Sequence, residues 1–179
     1  MRRRRSNSGS IVWLEHAALA TMRREAARKA PHETGGVLVG YWADRGTEVV
    51  VTAVIGPGPD AEHEFDSFRP DYGFQEREIV RRYEKSRGSE TYLGDWHTHP
   101  DASDGQLSRK DRRTLWRIAT FKDARAAHPL MAVLHGGDPE WNLTVWLGHA
   151  APALGVVPRV KLIALQVRDY GGEADPDAG

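Results

Sequence analysis

The stretch Gly94-Asp95-Trp96-His97-Thr98-His99-Pro100, followed by Ser108-Arg109-Lys110-Asp111, constrains this chain more than any other. In an extended strand, side chains i and i+2 point to the same face, so His97 and His99 can reach one ion together. Asp111 can close a three-ligand set and leave a fourth position for water. That layout suits a catalytic zinc site rather than a structural one. Any fold must therefore bring the end of a strand and the start of the next helix to one point.

Each half of this pattern also has an ordinary explanation. A bare His-x-His pair can be two polar residues on a half-exposed strand. Ser108-x-x-Asp111 resembles a capping box, although Asp reaches back less far than Glu, and an acidic first turn meets the helix dipole favourably. Ser108 can cap through its oxygen or face a reacting carbonyl. The combination carries the argument, because the helix start can return Asp111 to the imidazoles. Asp101 and Asp104 in the intervening loop are acidic rivals for an ion. Asp95 shares parity with His97 and can orient an imidazole, or is a plain polar strand residue. Trp96 has the opposite parity and reads as core, and Thr98 as packing or a backbone contact. His16, His32, His63, His128, His135 and His149 lack ligand spacing and read as surface or core histidines.

Amide hydrolysis at such an ion also needs a proton shuttle. Glu33 is the best candidate. It lies in Pro31-His32-Glu33-Thr34-Gly35-Gly36, where the double glycine permits tight backbone approach or a bulge.

Helical composition covers residues 14–29 and ends at Pro31. Residues 36–42 and 48–55 read as neighbouring strands joined by a turn at 44–46. Gly56-Pro57-Gly58-Pro59 is a loop, and residues 63–68 can form another strand. A helix is expected over 72–85 with Phe74, Ile79 and Tyr83 on one face. Residues 91–99 are a strand and 108–121 a helix, with Leu115, Ile118 and Ala119 inward. Strands at 129–135 and 141–148 flank Gly136-Gly137-Asp138-Pro139, and 156–169 can be a last strand. Strands and helices mix without a βαβ rhythm, which favours an α+β fold: a mixed sheet with flanking helices.

The chain has 179 residues and 40% hydrophobic content, which suits one domain with a real core. It is expected at 11–169, between a disordered basic arm at 1–10 and a disordered acidic tail at 170–179. With no cysteine, there is neither a disulfide nor a Cys-based zinc site. A zinc deaminase, which uses cysteine ligands, is therefore excluded. The formal net charge of zero gives no global footprint for nucleic acid. No segment approaches the ~18 apolar residues that span a bilayer, and a cytoplasmic setting is expected.

Taken together, Glu33, His97-Thr98-His99-Pro100 and Ser108-Arg109-Lys110-Asp111 resemble the JAMM/MPN+ metalloproteases, called JAB domains in bacteria. Glu33-Thr34-Gly35-Gly36-Val37-Leu38-Val39-Gly40 and Tyr92-Leu93-Gly94-Asp95-Trp96 are similar to the bacterial branch. The resemblance covers about residues 14–148 and implies a cytidine-deaminase-like α/β fold. It implies one Zn2+ held by His97, His99 and Asp111, Glu33 as general base and then acid, and Ser108 as hydrogen-bond donor to the oxyanion. It implies an isopeptidase or peptidase acting after the C-terminal tail of a ubiquitin-like modifier. Similar bacterial proteins occur in CBASS antiphage systems, with E1/E2-like partners and a conjugated nucleotidyltransferase. The loop from 101 to 107 departs by about one extra residue, which bears on Ser108 more than on the ligands.

Two other readings stand beside this one. The chain could process a ubiquitin-like sulfur-carrier protein, or it could be a non-catalytic MPN scaffold. Intact Glu33, His97, His99, Ser108 and Asp111 argue against the scaffold. The domain limits predict that trimming residues 1–10 and 170–179 leaves a cooperatively folded protein. Loss of a sharp thermal unfolding transition in the trimmed protein would show those limits to be wrong.

Overall fold

The computed structural model describes residues 10–43, 48–124, 126–154 and 157–171. The expected basic arm and acidic tail lie almost wholly outside them. Strand β1 (Ile11–Glu15) runs straight into helix α1 (His16–Lys29). The helix therefore begins two residues later than composition suggested. The β-branched start Ile11-Val12 takes extended structure, and β1 finds two partners in the sheet. Strands β2 (Gly35–Ala43) and β3 (Glu48–Ile55) follow. The 63–68 segment is not one strand but a small hairpin, β4 (Glu62–His63) and β5 (Phe68–Arg69).

Helix α2 (Tyr72–Lys85) is capped by Asp71, whose side chain accepts from the Phe74 amide. Strand β6 (Thr91–Pro100) then leads to helix α3 (Arg109–Thr120). Strands β7 (Leu130–Gly137), β8 (Glu140–Leu154), β9 (Val157–Ala164) and β10 (Gln166–Tyr170) complete the chain. The single last strand expected at 156–169 is thus two strands, parted at Leu165.

That break shapes the fold. The eight-stranded sheet has the order β10-β1-β3-β2-β6-β7-β8-β9. Strands β9 and β10 lie at opposite edges, yet only Leu165 separates them. Its amide donates to the Val145 carbonyl of β8 at 2.9 Å, and the next amide, Gln166, reaches Ser10 beside β1. The two edges must therefore approach each other, and the sheet curls almost into a barrel.

Each face of the sheet is covered. Ala18, Met22 and Ala26 of α1 pack with Val12, Leu38, Trp96, Leu130 and Leu134 in the main core. Its Ala, Leu, Met, Arg and Glu content favours helix, and Ala18, Leu19, Met22 and Ala26 give it one apolar face toward the sheet. On the other face, Leu115 of α3 packs on Leu107, Met131 and Val133. On that face too, Phe74 and Ile79 of α2 meet Val37, Val39 and Ile55. Tyr83, expected with them, is instead largely exposed.

Register fixes what lies between α2 and α3. Val37 pairs with Asp95, and His97 pairs with Val133. Directly paired residues share a face. The two imidazoles therefore emerge in the gap between the α2 and α3 clusters.

Thr98, between the histidines, points the other way and is fully buried. Its hydroxyl accepts from the Thr34 amide at 2.9 Å, and its own amide donates to the Thr34 carbonyl at 2.8 Å. This ties the segment carrying Glu33 to the strand carrying the histidines. Thr98→Val keeps the shape but leaves the buried Thr34 amide unpaired. A loss of about 1–3 kcal/mol is expected in urea denaturation, and an unchanged midpoint would show that the amide finds another partner.

Candidate metal centre

Strand β6 presents His97 and His99 with their Nε2 atoms 3.0 Å apart. Helix α3 returns Asp111 to them: Oδ1 lies 3.5 Å from His97 Nε2 and Oδ2 lies 3.5 Å from His99 Nε2. The three residues form one cluster of donor atoms suited to a cation. Nitrogen atoms this close need a shared proton or a shared cation. For a tetrahedral ion with bonds of ~2.0–2.1 Å, ligand atoms should lie ~3.3 Å apart. The observed 3.0, 3.5 and 3.5 Å fit that spacing. One imidazole–imidazole–carboxylate set also leaves a tetrahedral site one position short, as a catalytic site requires.

The capping box explains why Asp111 arrives there. Ser108 Oγ accepts from the Asp111 amide at 3.1 Å, and Asp111 Oδ2 accepts from the Ser108 amide at 2.8 Å. The shorter Asp side chain does reach back. Capping and facing the imidazoles are therefore not rival explanations, because the same carboxylate does both. Burial pushes the Asp111 carboxyl up, but hydrogen bonds from His97, His99 and Ser108 more than reverse this and hold it far below the usual carboxylate range. The hydrogen bond to Asp111 raises His99.

Asp101 and Asp104 do not join the cluster. Asp104 Oδ1 is taken by the Gln106 amide at 3.0 Å. Asp101 turns the chain with a φ of 61°, its amide bound to the Gly136 carbonyl. Asp95 has the expected parity, but its carboxylate accepts from the Tyr92 hydroxyl at 2.7 Å rather than from an imidazole. Burial pushes this carboxyl up to about 6.

Glu33 comes from a distant part of the sequence. Gly35 pairs with His97, so Glu33 lies beyond the end of β2, beside the histidines. A Cβ on Gly35 would sit 2.3 Å from the Trp96 carbonyl oxygen and 2.5 Å from the Phe68 ring. Only glycine allows this approach. The β4–β5 hairpin braces Glu33 from outside: its amide donates to the Glu64 carbonyl at 2.8 Å, and His63 Nδ1 donates to its carbonyl at 2.9 Å. Burial raises the Glu33 carboxyl above its usual value, while the charges of His97 and His99 pull it down. Its field thus couples it to the imidazoles across the gap.

Two residues that the sequence did not single out hold the loop between β6 and α3. Gly105 is buried against Thr144 and His135, with no room for a Cβ, which would lie 2.5 Å from Thr144 Cβ. Trp146 Nε1 donates to the Gly105 carbonyl at 2.8 Å. His135, paired with His99 in the sheet, bonds Thr144 Oγ1 at 3.3 Å rather than an ion. Nothing in the spacing marks Trp146, because it lies on another strand and acts through a backbone oxygen. Trp146→Phe keeps the packing and removes the donor. It is expected to weaken metal affinity about tenfold in a competition with a chelator. Equal affinity would show that the loop is held without it.

Comparisons with known proteins agree with this geometry. Residues 15–147 match the family of prokaryotic homologues of the JAB domain. A Sinorhizobium fredii protein named "Probable metalloprotease y4qB" is 36% identical over 160 residues, covering 89% of this chain and 97% of its own. A "CD-NTase/cGAS isopeptidase" of Enterobacter hormaechei is 29% identical over 140 residues, covering 75% and 73%. The solution structure of a Desulfitobacterium hafniense protein superposes with a TM-score of 0.60 at 16% identity, covering 89% and 93%, which supports the fold alone. The convergence of His97, His99 and Asp111 and the match over three quarters of the chain lead to one conclusion: this protein belongs to the prokaryotic branch of the JAB-domain family.

Proposed function

We propose that the protein is a zinc-dependent JAMM peptidase that hydrolyses an amide bond at the C-terminal tail of a ubiquitin-like modifier. The observation that carries this reading is the meeting of two imidazoles and one carboxylate opposite a half-buried glutamate. His97, His99 and Asp111 would hold the ion. When bound, zinc supplies Lewis acidity, polarising the scissile carbonyl and making water a better acid.

Glu33 takes the proton from the attacking water and passes it to the leaving amine. The water oxygen is added to the carbonyl carbon and the C–N bond breaks. The raised Glu33 pKa suits a group that must first accept and then give a proton. Ser108 Oγ accepts the Asp111 amide through a lone pair, so its own hydrogen stays free to donate to an oxyanion. Capping and oxyanion stabilisation are compatible in one hydroxyl.

The name of the Enterobacter hormaechei relative supports an isopeptidase acting on conjugates of a nucleotidyltransferase, as in a CBASS-type antiphage system. E1/E2-like proteins would then be its partners, in the cytoplasm. No helix among the described residues is long and apolar enough to cross a membrane. Maturation of a ubiquitin-like sulfur carrier uses the same chemistry and is the second reading.

Glu33→Ala is expected to keep one equivalent of zinc and to lose about 10²–10⁴-fold in amide cleavage. Metal analysis and turnover of a ubiquitin-like fusion, measured on one preparation, check both halves. Normal turnover would remove the proton shuttle, and absence of stoichiometric metal after zinc is supplied would remove the hydrolase.

A further inference from the structure

The outer face of α3 carries an unbalanced charge. Arg109, Lys110, Arg113, Arg117 and Lys122 are all exposed, and none joins an ion pair among the described residues. Arg112 beside them spends its Nε on the Leu107 carbonyl. The helix's one carboxylate, Asp111, is turned inward to the imidazoles.

The other helices pair part of their cations, although Arg24 and Lys29 of α1 and Arg77 and Lys85 of α2 also join no ion pair among the described residues. Arg28 of α1 pairs with Glu25, and on α2 Arg81 pairs with Glu78 and Arg82 with Glu90. The whole chain is neutral, so the excess on α3 is local. Positions 109, 113, 117 and 121 follow one another at helical spacing. They form a ridge ~18 Å long at 1.5 Å per residue, ending on Phe121, which is 61% exposed. The ridge starts at the cleft: Lys110 lies close enough to Glu33 for its charge to act on that carboxyl.

We infer that this ridge docks an acidic polypeptide segment, with carboxylates meeting Arg109, Arg113 and Arg117 and an apolar side chain covering Phe121. Mixed arginine and aromatic surface is typical of protein interfaces. A single short ridge on a neutral chain is a poor match for nucleic acid, which takes a wider basic field. Because the ridge begins at the ligand helix, a bound segment would lie beside the reacting amide. Calling that segment part of the substrate rests on the hydrolase reading, whereas binding itself does not.

The test uses fluorescence anisotropy of a labelled glutamate-rich peptide containing one leucine, on metal-free full-length protein. Binding should weaken with salt. Arg113→Glu/Arg117→Glu should lower affinity at least about tenfold, while Arg77→Glu/Arg81→Glu, the same charge change on α2, should stay within about twofold. Should the first variant fail to fold by circular dichroism, Arg113→Gln/Arg117→Gln gives the same comparison with a smaller loss. Equal losses on both helices, no peptide binding at low salt, or tighter binding of a single-stranded oligonucleotide of equal charge would each overturn the inference. Zinc content and amide cleavage are read separately, so a failed hydrolase leaves this result standing.

Discussion

The carboxylate of Asp111 is the point on which the site depends. A partly buried carboxylate is favoured as an anion when it is paired and hydrogen-bonded. Here it closes the first turn of α3 through the Ser108 amide and faces both imidazoles at 3.5 Å. The cap sets where the carboxylate sits, and the strand sets where the imidazoles sit. Neither element would fix the geometry alone. An ordinary helix-capping device thus places a carboxylate against two imidazoles.

Rigidity around that point comes from backbone contacts. Thr98 binds the Thr34 main chain on the buried face of β6, directly behind the histidines. Gly35 lets β2 and Phe68 approach so closely that Glu33 is delivered beside them. Trp146 grips the loop that leads into α3. Contacts from four separate segments, β2, β5, β6 and β8, thus converge around one gap. Such support matters because a misplacement of ~1 Å can cost a catalytic site 10²-fold.

The curled sheet gives these segments a common frame. The step from β9 to β10 through Leu165 brings the two edges near each other at one corner, and α1 covers one face. The helices α2 and α3 are left to divide the other. Their two apolar clusters bury what they can, and the polar gap between them is where the imidazoles emerge. The site therefore lies at a seam between two cores.

Much of this was legible in the residues. Alternation along 91–99 put His97 and His99 on one face, and Ser108 and Asp111 marked a helix start, because both signals depend only on neighbouring residues. The short strand at Ile11–Glu15, the hairpin at 62–69 and the break at Leu165 were not legible. Each takes its form from a partner far along the chain. The sequence alone determined the candidate donor set, the strand–loop–helix order and the absence of cysteine. Only the tertiary structure decided that Glu33 stands beside the imidazoles, that Asp104 stays out of the donor cluster, and that Trp146 holds the loop. Register and sheet closure are collective properties, set by which surfaces bury together rather than by any local run of residues.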